Sequence, residues 1–158
     1  MNKINLAVIG METRRSPKGR FRSVIQNVSK ALQGVNGLAA QGLKQPFVVE
    51  LVRVPPGALD SPYRSHSVKW EFYLILSGRG VVRTPAGRVD VQKGDCLIHP
   101  PGEAHQLQNL GAEDLVYYVV ADCPASNVTH YEDTNKWSLP EQSPPGRLQA
   151  VDLFDGEE

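Results

Sequence analysis

The chain has 158 residues, a length that one domain fills while still enclosing a real core. Lys plus Arg and Asp plus Glu number 17 each and aromatic residues make up 7%, so neither net charge nor a stacking surface favours nucleic acid or an anionic membrane as partner. Cys96 and Cys123 are the only cysteines, which excludes a disulfide framework. The short apolar run at residues 6–10 lacks the length of a membrane span and the flanks of a signal peptide, which makes the cytoplasm the expected compartment.

In chain order, residues 1–20 mix a few apolar positions with Arg, Lys, Ser, Pro and Gly and read as an arm whose order depends on docking. Basic residues (Lys3, Arg14, Arg15, Lys18, Arg20, Arg22) gather at this end, while acidic ones (Glu132, Asp133, Glu141, Asp152, Asp155, Glu157, Glu158) gather at the other. Two solvated tails satisfy this pattern, and so do ends that attract one another within a subunit or across a dimer. Residues 21–45 are expected to form a helix and linker. Val24, Ile25, Val28, Ala31 and Leu32 recur at helical spacing over residues 21–32, and Gly34 is placed as a stop.

Residues 47–54 are Val-rich and bounded by Pro55-Pro56-Gly57, the mark of a strand closed by a turn. Further strand signals follow at residues 71–76, 80–84, 88–92, 96–99, 105–108 and 115–121. Gly and Pro between them supply the reversals. Closely spaced strands without long helices between them predict an antiparallel sandwich or barrel over residues 46–122, with residues 123–158 as an extension packed on it. Both alternating faces of residues 71–76, apart from Glu71, and of residues 116–120 are apolar. One face can line the barrel, and the other needs a cover: the N-terminal segment, the tails or a second subunit, hence the expectation of a homodimer.

The residues most charged with chemistry lie in two stretches. Gly94, Pro100, Gly102, His105 and Asn109 fill every fixed place of one pattern: Gly, five residues, Pro, one, Gly, two, His, three, Asn. Earlier, His66, Glu71 and Gly78 match a pattern of His, one residue, His, three or four, Glu, six, Gly, with Arg64 where the first His would stand. Together these motifs resemble those of the cupin superfamily over roughly residues 46–122. The family fold is an all-β double-stranded β-helix, or jelly-roll barrel. More loosely, residues 131–137 (Tyr131, Glu132, Asp133, Thr134, Asn135, Lys136, Trp137) resemble an element that follows the barrel in a group of small uncharacterised cupins.

In metal-binding cupins, two histidines and the glutamate of the first motif and the histidine of the second hold one ion. The resemblance carries that role onto His66, Glu71 and His105, a 2-His-1-carboxylate set suited to Fe and tolerant of Mn, Ni or Zn. Arg64, a permanent cation, opposes a divalent metal unless an anion or Glu71 lies between them. On the strands, Arg64 and His66 share a face, and Glu71 and Tyr73 share another after a bend at residues 67–70. Buried, Glu71 requires a partner under any reading, and Arg64 is either that partner or a clamp for an anionic ligand. Tyr73 is a core residue able to donate to a substrate oxygen, His99 a rim or packing residue, and Asn109 and Gly102 structural.

Three functions follow from this set. The first is a cupin holding a divalent transition metal and a small anionic ligand, for sugar or keto-acid isomerisation or dioxygenation, with His66, Glu71 and His105 as ligands and catalytic groups and Arg64 and Tyr73 on the ligand. The second is a metal-free enzyme resembling the sugar-nucleotide epimerase cupins, with Arg64 neutralising Glu71 and a histidine as base. The third is a non-catalytic small-ligand binding or sensing domain. A single predicted helix offers no helix-turn-helix for DNA.

Overall fold

In the computed structural model, which describes residues 2–35, 42, 45–139, 145–150 and 155, twelve strands and one short helix are laid down in chain order. The strands are β1 (Glu12–Arg15), β2 (Arg22–Asn27), β3 (Phe47–Val54), β4 (Arg64–His66), β5 (Glu71–Ser77), β6 (Arg79–Thr84), β7 (Gly87–Gln92), β8 (Cys96–His99), β9 (Gln106–Gln108), β10 (Leu115–Asp122), β11 (Thr129–Tyr131) and β12 (Lys136–Ser138), and the helix α1 is Val28–Gly34. One sheet runs β1-β2-β3-β10-β5-β8, and two three-stranded sheets, β7-β6-β9 and β12-β11-β4, complete the structure. All the strand pairs in these sheets are antiparallel. This is the expected jelly-roll architecture.

The inside is set by alternation. On β5 the side chains of Glu71, Tyr73 and Ile75 are buried, and their β10 neighbours in register are Ala121, Val119 and Tyr117. Ile75 and Tyr117 continue into a core with Ile25, Val52, Val54 and Leu115, so the barrel is apolar toward one end and polar at the end where Glu71 lies. Turns are enforced where backbone space vanishes. At Gly78, φ is +80° and an added Cβ would stand 2.4 Å from the Asp114 carbonyl oxygen, so only glycine fits between β5 and β6.

Two expectations for the N-terminal region are corrected. Residues 22–27 are a strand, and the helix begins only at Val28, where the Asn27 side chain accepts from the Lys30 amide. Ser23 and Ile25 are both almost fully buried on the inner face, a period of two that pairing with β1 and β3 imposes on a segment whose β-branched residues tolerate either structure. The arm at residues 1–20 is likewise not without structure, since β1 pairs with β2. Gln26 Nε2 donates to the carbonyls of Leu6 and Ile9, both at 2.9 Å, and so ties the first residues across the sheet. Ile4, Leu6 and Ile9 thereby line an apolar hollow together with Phe72, Leu74, Tyr118 and Val120 on the outer face.

The linker at residues 37–46 and the acidic C-terminus lie largely outside the described residues. Both cysteines are exposed and free. No described helix is long and apolar enough to cross a membrane.

Candidate functional site

Backbone pairing gathers the polar groups. Arg64 and His105 exchange backbone hydrogen bonds, N to O at 3.2 and 2.9 Å, which sets their side chains beside one another. Glu71 on β5 lies opposite His99 on β8, and His66 on β4 lies opposite Thr129 on β11. Residues 67–70 make the bend between β4 and β5 that the odd spacing from His66 to Glu71 demanded. The result is a cavity of about 400 Å³ whose polar floor holds Arg64, His66, Lys69, Glu71 and Tyr73, with Asp60 and Ser61 beside them and Arg14, Asn27 and Glu50 on the β2–β3 side.

Glu71 is the centre of this floor. Its Oε2 accepts from Tyr73 Oη at 2.9 Å and from Arg64 Nη2 at 3.3 Å, and it stands 2.8 Å from His105 Nε2. Its Oε1 lies 3.3 Å from Lys69 Nζ and 3.4 Å from His66 Nε2. At 3.4 Å the last contact is long for a hydrogen bond, and the buried His66 Nε2 makes no well-formed one among the described residues. His66 Nδ1 faces Asn127 Nδ2 and Thr129 Oγ1, each at 3.1 Å.

The charges follow. Burial works to raise the Glu71 pKa, but Arg64, the two imidazoles and Lys69 outweigh it and hold the carboxyl well below its ordinary range. Arg64 is moved the opposite way: burial is the largest single effect and opposes its charge, but Glu71 together with Tyr73, Asp60 and Tyr117 outweighs it, and the guanidinium stays ionised while its Nη1 donates to Ser61 Oγ. Burial lowers the pKa of His66, helped by Arg64 and Lys69, so this ring is neutral at pH 7. Tyr73 is raised well above the ordinary phenol value by burial and by Glu71, and it serves as a donor. Both nitrogens of His105 face oxygens, the Glu103 carbonyl at 3.1 Å and Glu71 at 2.8 Å, so a proton lies in the contact between ring and carboxylate.

The five residues singled out in the sequence, Arg64, His66, Glu71, Tyr73 and His105, thus converge. His99, expected at the rim or in packing, is packed: its ring is stacked on His105 at 4.0 Å and 10°, and its Nδ1 donates to Glu103 Oε1 at 2.7 Å. Asn109 is structural and fully buried, its amide donating to the carbonyls of Val54 and Glu113 and its oxygen accepting from the Gly111 amide. Residues 131–137 pack along β4 and β6: Tyr131 pairs with Arg64 and lines the cavity, Glu132 accepts from Ser65, and Asp133 takes both guanidinium nitrogens of Arg83 at 2.8 Å. Sequence reading missed Lys69, because it lies in the bend at residues 67–70, where strand alternation does not say which way a side chain points. It also missed Asn127 and Thr129, which no spacing rule connects to His66.

The family resemblance raises a metal ion, and the residues present do not fit one. Both Glu71 oxygens already face cations, Arg64 on one and Lys69 on the other, so a dication on this carboxylate would meet two positive neighbours in a buried setting. Among the described residues, no group of three His, Cys, Asp or Glu side chains is disposed to hold an ion.

Comparison with known proteins agrees with this fold. Residues 50–121 match the model of the family described as Cupin domain. An uncharacterized protein of Methanocaldococcus jannaschii is 32% identical over 94 residues, which cover 60% of this chain and 70% of that protein. An oxalate-binding protein of Thermotoga maritima is 32% identical over 69 residues, covering 44% of this chain and 56% of that one. A structure of a sugar phosphate isomerase from a cupin superfamily, from Silicibacter pomeroyi, superposes with a TM-score of 0.73 at 24% identity, covering 94% of this chain and 97% of that chain. The chain belongs to the cupin superfamily.

Proposed function

We propose that this cupin binds a small, oxygen-rich anion in its barrel without needing a metal, and that the site serves isomerisation or epimerisation of a sugar phosphate or keto acid. The observation that carries this reading is the cavity floor itself: two cations, Arg64 and Lys69, line the space around one ionised carboxylate, and His66 lines it beside them. Charged donors in a buried setting bind carboxylate and phosphate oxygens strongly. A carbonyl oxygen of the ligand set against them would be polarised, while the contact between Glu71 and His105 holds a proton within reach of the same space.

The S. pomeroyi structure is described as a sugar phosphate isomerase and the T. maritima relative as an oxalate-binding protein, and both descriptions involve small oxygen-rich anions. They support the ligand class. The test is calorimetry on metal-stripped protein against a panel of sugar phosphates and of hydroxy and keto acids, followed by turnover assays of whatever binds. Binding that weakens at least about tenfold in Lys69→Ala, with turnover of the bound compound lost in His66→Gln, is the expected result. Tight binding without turnover would reduce the reading to a binding domain, and an absence of binding across the panel would contradict it.

A further inference from the structure

His66 stands between the Glu71 carboxylate, which its Nε2 faces at 3.4 Å, and a residue that neither motif contains. Asn127 lies in the connection between β10 and β11, and its Nδ2 stands 3.1 Å from His66 Nδ1. An amide nitrogen only donates, so the ring nitrogen that faces it accepts and carries no proton. A neutral imidazole with a bare Nδ1 carries its proton on Nε2. That is the buried atom that faces Glu71 Oε1 at 3.4 Å without a well-formed hydrogen bond.

We propose that Asn127 is a positioning residue that fixes His66 as the Nε2–H tautomer, turning the ring into a donor toward the cavity. This rests on the reading of the cavity as an anion site and deepens it: a donor at His66, beside Arg64 and Lys69, selects ligands that present acceptor oxygens. The same proton occupies the nitrogen on the Glu71 side of the ring, which works against metal ligation by His66 there. Thr129 Oγ1, also 3.1 Å from Nδ1, fits either tautomer because a hydroxyl can donate or accept, so on the Nδ1 side the amide decides, and the Glu71 carboxylate facing Nε2 favours the same tautomer. The Asn127 carbonyl oxygen is buried and without a partner among the described residues. The rival arrangement is therefore an amide turned by half a rotation, with Oδ1 accepting from Nδ1–H and a lone pair on Nε2.

Nitrogen-15 NMR of the histidine rings in metal-stripped wild-type protein near pH 7.5 separates the two. The expected result is that His66 Nε2 resonates as protonated and Nδ1 as bare, and that Asn127→Asp, whose carboxylate only accepts, moves a proton to Nδ1. A wild-type His66 protonated on Nδ1 would overturn the inference without any variant being needed. Adding inorganic phosphate to the same samples tests the underlying reading separately. Perturbation of His66 Nε2–H supports both, while a tautomer as expected with no phosphate effect on any ring would count against the anion site and leave the Asn127 assignment standing.

Discussion

Arg64 and Glu71 form an ion pair at 3.3 Å inside the barrel, their side chains 16% and 4% exposed. The pair stands where a metal-binding cupin would place a ligand histidine against its glutamate. Removing one member of a buried pair leaves the other charge uncompensated, so Arg64→Met should cost about 3 kcal/mol of unfolding free energy, the lower end of the usual range because Lys69 and His105 remain on the carboxylate. The double variant Arg64→Met with Glu71→Gln should recover much of that loss. Urea unfolding of the four proteins of this cycle measures the coupling, and additive losses would show that the two groups do not interact.

Stability should depend on pH in two windows. Glu71 titrates lower in the folded protein than in the unfolded chain, so its contribution is complete above the ordinary carboxylate pKa of about 4.3 and is lost as pH falls through its depressed folded value. His66 and His99 are also lowered, each first by burial. Between their folded values and about 6.5 the unfolded state binds more protons, so stability rises with pH across that window and levels off above it. Melting temperatures from pH 3.5 to 8 should show both slopes. His99→Phe should flatten the upper one, and an unchanged upper slope would mean that His99 does not contribute.

Lys69 is the cation reached from the cavity at least cost to the fold, with a side chain 23% exposed. Lys69→Ala should change stability by less than about 1 kcal/mol, as for a partly solvated ion pair. In the same variant, affinity for an anionic ligand should fall by about tenfold or more, the loss expected of one charge-assisted hydrogen bond. Equal affinities in the two proteins would remove Lys69 from the site.

Two residues should matter to the fold and not to the chemistry. Asn109 serves three backbone groups at 2.7 to 2.9 Å, and Asn109→Ala would strand two carbonyls and an amide at a cost of about 3 kcal/mol. Gly78→Ala would drive a methyl into the Asp114 carbonyl at a positive φ and should destabilise at least as much. Thermal unfolding measures both, and a neutral effect would refute the role given to that residue.

The barrel was legible because its strands alternate and its turns are marked by Gly and Pro: the bounds expected for residues 47–54 and 96–99 are those observed. The N-terminal region was misread because Val24, Ile25 and Val28 satisfy a helical period as well as a strand. Only pairing with β1 and β3, a long-range contact, selects the strand. At the site, motif spacing located Arg64, His66, Glu71 and His105. It was silent about Asn127 and Thr129, since the pairing of β11 with β4 brings them to His66 from more than sixty residues away.

Metal content tests the central claim most directly. Protein purified without an affinity tag, from medium supplemented with Fe, Mn, Ni and Zn, should carry only sub-stoichiometric metal and melt at the same temperature with or without chelator. Under the same conditions Arg64→His should gain metal. About one transition-metal ion per wild-type chain, lost together with thermal stability in His105→Ala, would contradict the account.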